Sequence, residues 1–220
     1  MDRSIALRGL GTLLLCAAAT GCATIAPVPY SDMASSAYMA PDKSDASGRV
    51  PYRYSTQVDW RAYNKVTLDP LVIYRGRDHQ FGDMSDRDKA TLAAYMQTCF
   101  VERLRSRFAS VRERGPNTLR IRLTLTGAVT NTPVLGTLSR FDVAGAVYNG
   151  VQAARDGEGT LTGSVIYGVE IFDAQTSRLL SAYVTKQYPG AYDIKATAGS
   201  LAAATAGLDK GAAALMAQLN

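Results

Sequence analysis

One histidine, one tryptophan and three cysteines in 220 residues leave little material for metal or nucleophilic chemistry. Catalytic zinc takes three protein ligands, usually with more than one His, and His79 is alone. A Ser-His-Asp triad would have to use His79, yet no Gly-x-Ser-x-Gly elbow is present. The glycine-bearing stretches "GAVYNG" and "GEGTLTG" match neither a phosphate loop nor a dinucleotide fingerprint. Asp142, Asp156 and Glu158 would form a glycosidase pair only if folding brought two of them together; as loop residues they serve solubility. The expectation is no catalytic residue, no metal site and no cofactor.

A basic run is absent as well. The net charge is +5, from 24 basic and 19 acidic residues, and no four basic residues are consecutive. A nucleic-acid groove would show clustered Lys and Arg with interleaved aromatics. Only "VERLRSRFASVRERG" comes near it, and on a helix its arginines spread over more than one face, as on a solvated surface. No nucleic-acid partner is expected. An apolar run of about 20 residues, the length that spans a bilayer, is missing too.

What is present begins at the N-terminus. Arg3 and Arg8 precede a short apolar stretch over residues 10–19, then small residues, which is the layout of a secretory signal. Two cysteines follow, and their neighbours distinguish them. Cys22 comes after Ala19, Thr20 and Gly21, a sequence that resembles the lipobox read by the bacterial lipoprotein signal peptidase. Cys16 follows three leucines, which such a peptidase does not accept. The resemblance implies a signal peptide over residues 1–21, then diacylglyceryl attachment and N-acylation at Cys22. Each buried CH₂ contributes about 0.8 kcal/mol, so two or three acyl chains hold a protein on a bilayer. Ala23, in the position where Asp would retain the protein in the inner membrane, favours the outer membrane with the domain facing the periplasm. The competing reading is a secreted protein cleaved within "AAATGCA". With Cys16 removed and Cys22 lipidated, Cys99 is the remaining thiol and no intramolecular disulfide forms.

Residues 22–49 are rich in Ser, Ala, Pro and Asp without a sustained period, the composition of a flexible tether on the order of 30 Å end to end. Residues 50–220 then form one domain. "YNKVTLDPLVIY" predicts a strand broken at Pro70, which cannot donate to a ladder. Ser85, Asp86 and Asp88 are a helix start, and an apolar stripe through Leu92, Tyr95, Met96, Cys99, Leu104 and Phe108 predicts a helix over 86–109. Cys99 is expected there as a small core residue. In "NTLRIRLTLTGAV" Leu and Ile alternate with Arg and Thr, so one face of a strand meets a core and the other meets water or a partner. Residues 140–155 suggest a small-residue helix. "SVIYGVEIFDAQTSRLLSAYV" is a hairpin with a turn over 173–178, and residues 197–219 form a last helix with Leu201, Leu208, Ala212, Leu215 and Leu219 on one side. The plan is α+β, a mainly antiparallel sheet with helices packed on one face.

These segments carry a resemblance. The Cys22 lipobox, "YNKVTLDPLVIY", "RLTLTGAVTNTP" and "GVEIFDAQTSRLLSA" together are similar to the bacterial lipoprotein family called domain of unknown function 3313. The Glu170-x-x-Asp173-x-x-Thr176 hairpin is the most recognisable part, with Ser177 where relatives often carry Gly. The family has no assigned catalytic residues, so the resemblance implies location and not activity.

Surface for partners is the remaining signal. Tyr30, Tyr38, Tyr52, Tyr54, Trp60 and Tyr63 crowd the tether and the domain entrance; such side chains join an apolar body to a polar tip. Trp60 and Tyr63 serve equally well as plugs at the end of the core. Phe141, Val143, Val147 and Val151 lie on the possible helical face of the 140–155 segment. Tyr52, Tyr54, Trp60, Phe141 and Val147 are therefore the candidate contacts for an envelope protein, in an oligomeric state the sequence leaves open. The expectation is a non-enzymatic accessory or scaffold lipoprotein. The alternative is an enzyme or binding protein acting on cell-wall glycan or lipid through the His79 loop.

Overall fold

A computed structural model describes residues 25–130, 163–190, 196 and 199–220. Eight strands form one mixed sheet: β1 (Ala40–Pro41), β2 (Tyr52–Ser55), β3 (Lys65–Leu68), β4 (Val72–Ile73), β5 (Ala109–Ser110), β6 (Thr118–Val129), β7 (Ser164–Asp173) and β8 (Leu179–Gln187). Their order is β1-β2-β8-β7-β6-β3-β5, with β4 also beside β6. The long ladders β6/β7, β7/β8 and β2/β8 are antiparallel, as expected, while the short strands β3 and β4 run parallel to β6. Pro70 separates β3 from β4.

Two helices, α1 (Asp86–Arg105) and α2 (Ala202–Gln218), cover one face. α1 starts where the sequence placed it: the Ser85 side chain accepts from Asp88 N at 3.1 Å, with Asp86 and Asp88 in the first turn, where the helix dipole favours negative charge. It ends at Arg105, four residues earlier than expected, and Ala109 turns into the short strand β5. Its buried stripe, Leu92, Met96, Phe100 and Leu104, is spaced every four residues and packs on Leu119, Ile121, Leu123 and Leu125 of β6 and their β7 neighbours. Cys99 lies beside that stripe, half-buried and packed against the core.

α2 carries Gly207 and Gly211 on its sheet side. A Cβ on Gly207 would stand 2.7 Å from Gln187 O, and one on Gly211 would collide with the Tyr167 hydroxyl. The glycines let the helix backbone lie directly on β7 and β8. That close approach covers Tyr167, whose ring also meets Phe100 edge-on at 5.7 Å.

In the hairpin, the Asp173 carboxylate accepts from Thr176 N at 2.7 Å and from Thr176 Oγ1 at 2.8 Å. Burial works against the Asp173 charge, but those bonds and one from Tyr63 hold its pKa below the ordinary carboxylate value. Ser177 follows at φ 58°, in the left-handed region where glycine is at ease.

The expected tether is corrected. From Ala26 onward the N-terminal segment is packed against the domain, on the sheet face opposite the helices. Tyr30 is 0% exposed and Met33 5%, in a second cluster with Tyr74, Ile166 and Val184. Tyr30 Oη donates to Gln80 Oε1 at 2.6 Å, Gln80 Nε2 returns a bond to Ala26 O, and Asp78 accepts from Ser31 N at 2.9 Å. Met33 lies over Gly168, where any side chain would collide with its thioether. A 3-10 turn over Ala34–Tyr38 then leads into β1. The domain boundary therefore falls before residue 30 and not at 50, and this segment is called the strap below. The candidate helix at 140–155 lies outside the described residues.

Candidate functional site

Side chains along β7 alternate between faces, so Val169 and Ile171 enter the main core while Glu170 and Phe172 project beneath the strap. In the ladder Glu170 stands between Arg122 of β6 and Ala182 of β8, and Tyr54 of β2 lies beyond Ala182. The small Ala182 leaves a hollow between Glu170 and Tyr54. The 3-10 turn of the strap roofs that hollow with Ser35 and Tyr38, and Arg178 of the hairpin turn closes one end. The result is an open cleft of about 370 Å³ lined by Ser35, Tyr38, Tyr54, Glu170, Phe172 and Arg178, among others. The Tyr38 and Tyr54 ring centroids lie 5.8 Å apart, with the rings tilted by 52°.

Glu170 and Ser35 are each 2% exposed. One carboxylate oxygen of Glu170, Oε2, lies 3.6 Å from Arg122 Nη1. The other, Oε1, has no hydrogen-bond partner among the described residues, and neither has Ser35 Oγ. Buried polar atoms left without partners cost on the order of 1–3 kcal/mol each, more for charged groups, so two in one cleft mark a place where folding stability has been given up. Arg122 cannot turn fully to Glu170 because it also lies 3.5 Å from Asp69, whose carboxylate Arg120 holds bidentately at 2.7–3.0 Å. Both guanidinium groups stand over Phe172, at 5.8 and 5.7 Å.

Of the aromatics singled out in the sequence, Tyr38 and Tyr54 lie in this cleft. Tyr52, the neighbour of Tyr54 on β2, packs instead against the second cluster. Trp60 is partly buried against the main core, and its carbonyl accepts from Arg107 at 3.0 Å. Tyr63 donates to Asp173 at 2.9 Å, so both serve as plugs at that end of the domain. Phe141, Val147, Cys22 and the preceding Ala19, Thr20 and Gly21 lie outside the described residues. His79 is exposed, with its ring 5.8 Å from that of Phe81. The neighbouring Asp78 accepts from Tyr74 Oη at 2.6 Å as well as from the strap, and these bonds lower its pKa below the ordinary value. Its carboxylate is thus engaged in holding the strap. Among the described residues no three His, Cys, Asp or Glu side chains are grouped to hold a metal ion. Burial pushes the Cys99 thiol up to about 12, the behaviour of a structural cysteine. No helix among the described residues is long and apolar enough to cross a membrane.

Ser35, Glu170 and Phe172 escaped the sequence reading as a site, and Tyr38 was named there only among the crowding tyrosines. Glu170 carried a signal, a carboxylate in the middle of an otherwise apolar strand, but nothing in its neighbourhood pointed to residues 35 and 38.

A known family, described as "Protein of unknown function (DUF3313)", matches residues 29–215. No curated protein matches. Among solved structures, a dodecamer of a PelC variant from Paraburkholderia phytofirmans is similar at 9% identity and a TM-score of 0.37, over 72% of this chain and 89% of that one. A second PelC dodecamer from the same organism gives 10% identity and 0.36, over 72% and 92%.

Proposed function

We propose that this chain, which belongs to the DUF3313 family, is a lipid-anchored protein of the bacterial cell envelope that docks onto another envelope component without catalysing a reaction. The observation that carries the reading is the N-terminal order of basic residues, short apolar stretch, small residues and Cys22. Acylated there, the mature chain starts four residues before Ala26, whose carbonyl is already bonded to Gln80. Four residues reach about 14 Å when extended. The domain is then held close to its bilayer and cannot swing across the periplasm, in contrast to the reach a 28-residue coil would give. Ala23 favours the outer membrane, with the domain facing the periplasm.

A protein held at short reach meets partners on or near the same membrane. The exposed Tyr38 and the half-buried Tyr54, both lining the cleft, support docking through this edge, since tyrosines of this sort carry much of the energy of protein contacts. Crosslinking of intact cells followed by capture of the chain tests the reading. A defined envelope protein is expected in the wild type and is lost when Tyr38 and Tyr54 are both replaced by Ala. Capture of the same protein at equal yield by the double variant would move docking elsewhere, and a catalytic turnover lost in His79→Ala would replace the reading with the enzymatic one.

A further inference from the structure

The strap gives the domain a direction relative to Cys22. Ala26 O accepts from Gln80 Nε2 at 2.8 Å, and Gln80 is bridged to Gly127 of β6, which pairs with Ile166 of β7. From that level the strap follows β7 toward the hairpin turn. Tyr30 packs with Ile166, Met33 lies over Gly168, and Ser35 lines the cleft with Glu170 and Phe172. At a rise of about 3.3 Å per residue, Ile166 and Asp173 stand about 23 Å apart along the strand. The four residues from Cys22 to Ala26 span about 14 Å at most. An acyl group at Cys22 starts from the Gln80 end of the domain, and its reach from there falls short of the hairpin.

The surface at the Gln80 end suits phospholipid headgroups. In the turn over residues 75–80, Asp78 and Gln80 bond to the strap, while Arg75, Arg77 and His79 are exposed. Among the described residues no ion pair engages either arginine. The carboxylate beside them is turned inward, since Asp78 accepts from Ser31 N at 2.9 Å and from Tyr74 Oη at 2.6 Å. A guanidinium pairs bidentately with phosphate, and every phospholipid headgroup carries one. Ile25, 38% exposed at the same end, adds an apolar side chain one residue before Ala26.

We propose that the domain stands end-on to its bilayer. The turn over residues 75–79 lies against the phospholipid headgroups, Arg75 and Arg77 donate to their phosphates, and the Tyr38/Tyr54 cleft and the hairpin turn are directed away from the membrane. This inference rests on acylation at Cys22, and it adds which surface the bilayer takes and which it leaves open to a partner.

Fluorescence quenching of the acylated chain in phosphatidylcholine vesicles, with a nitroxide on part of the headgroups, tests it. His79→Cys and Gln175→Cys, both at exposed turn positions and each in a Cys99→Ser background, place one fluorophore at either end. The label at 79 should be quenched severalfold more than the label at 175. Arg75→Glu combined with Arg77→Glu should lower the quenching at 79 and leave the melting temperature unchanged, since both side chains are exposed. Equal quenching at the two positions, as in a domain lying flat, would overturn the proposal. So would stronger quenching at 175, no quenching at 79, or quenching at 79 that the double variant leaves unchanged. Intact mass and vesicle flotation separate this inference from the reading beneath it. A chain that is neither acylated nor floats removes both, whereas an acylated, floating chain with any of those quenching results removes the orientation alone.

Discussion

Replacing Tyr30 asks directly whether residues 25–49 are strap or tether. The Tyr30 side chain is 0% exposed, its ring packs on Tyr74 at 5.1 Å, and its hydroxyl donates to Gln80 Oε1 at 2.6 Å. Truncating a fully buried aromatic side chain costs about 3–5 kcal/mol through lost transfer energy and the cavity left behind. Since the strap can yield locally, the lower end, about 3 kcal/mol, is the expected cost of Tyr30→Ala. Tyr30→Phe keeps the ring and loses only the hydroxyl bond, for about 1 kcal/mol. With a urea slope of about 2 kcal/mol/M, the two midpoints should fall by about 1.5 M and 0.5 M. The graded pair matters, since a general folding defect would not separate ring from hydroxyl. If both variants melted within about 0.3 kcal/mol of wild type, the segment would be a tether after all, and the cleft, which uses Ser35 and Tyr38 from the same segment, would lose its roof.

The strap should also answer to acid. Asp78 is held below the ordinary carboxylate pKa chiefly by the Tyr74 hydroxyl and next by Ser31 N, so its contribution to stability is complete at neutral pH and is lost as pH falls below about 4 and through the lowered value. Asp78→Asn should therefore shrink the stability difference between pH 7 and pH 3, and an unchanged difference would count against this anchorage. Gly207→Ala should lower the melting temperature by an overpacking cost of about 1–3 kcal/mol, despite a gain of about 1 kcal/mol in helix propensity, because its Cβ meets Gln187 O at 2.7 Å. A rise in melting temperature would mean that α2 does not sit so close to the sheet. Cys99, with its thiol pushed up to about 12, is about one part in ten thousand thiolate at pH 8, so iodoacetamide should label the Cys99 peptide slowly in the folded chain and rapidly in urea. Equal labelling rates would refute the raised pKa and the half-buried placement of Cys99.

The sheet and helices were legible because their burial is periodic. The alternation of Leu119, Ile121, Leu123 and Leu125 survives unchanged as the core face of β6, and the α1 start at Ser85 needed only its local capping residues. On the α1 stripe Phe100 was missed although it continues the four-residue spacing of Leu92 and Met96, and Tyr95 was included although it is exposed and donates to Asp209 at 3.0 Å. The two-residue strands β1, β4 and β5 are too short for any period. The strap was unreadable for a different reason. Val28, Tyr30 and Met33 follow a coil and a 3-10 turn, not a helix or strand, and their partners lie 40 or more residues away at Tyr74 and Gln80 or on β7 and β8. Pro, Ser and Asp around them are the same residues a linker would use, and the contacts that fix them are tertiary. The cleft inherits that difficulty. Tyr54 stood out among crowded aromatics and Glu170 among apolar neighbours, but only the fold brings both under Ser35.

The central claim is attachment through Cys22, and the intact mass of the chain recovered from the membrane fraction tests it most directly. The account predicts a chain beginning at Cys22, heavier than its unmodified sequence by a diacylglyceryl group and one further acyl chain, and a Cys22→Ser variant that is neither acylated nor cleaved before residue 22. An unacylated mature chain beginning at another residue, or a Cys22→Ser variant processed in the same way as the wild type, would contradict it.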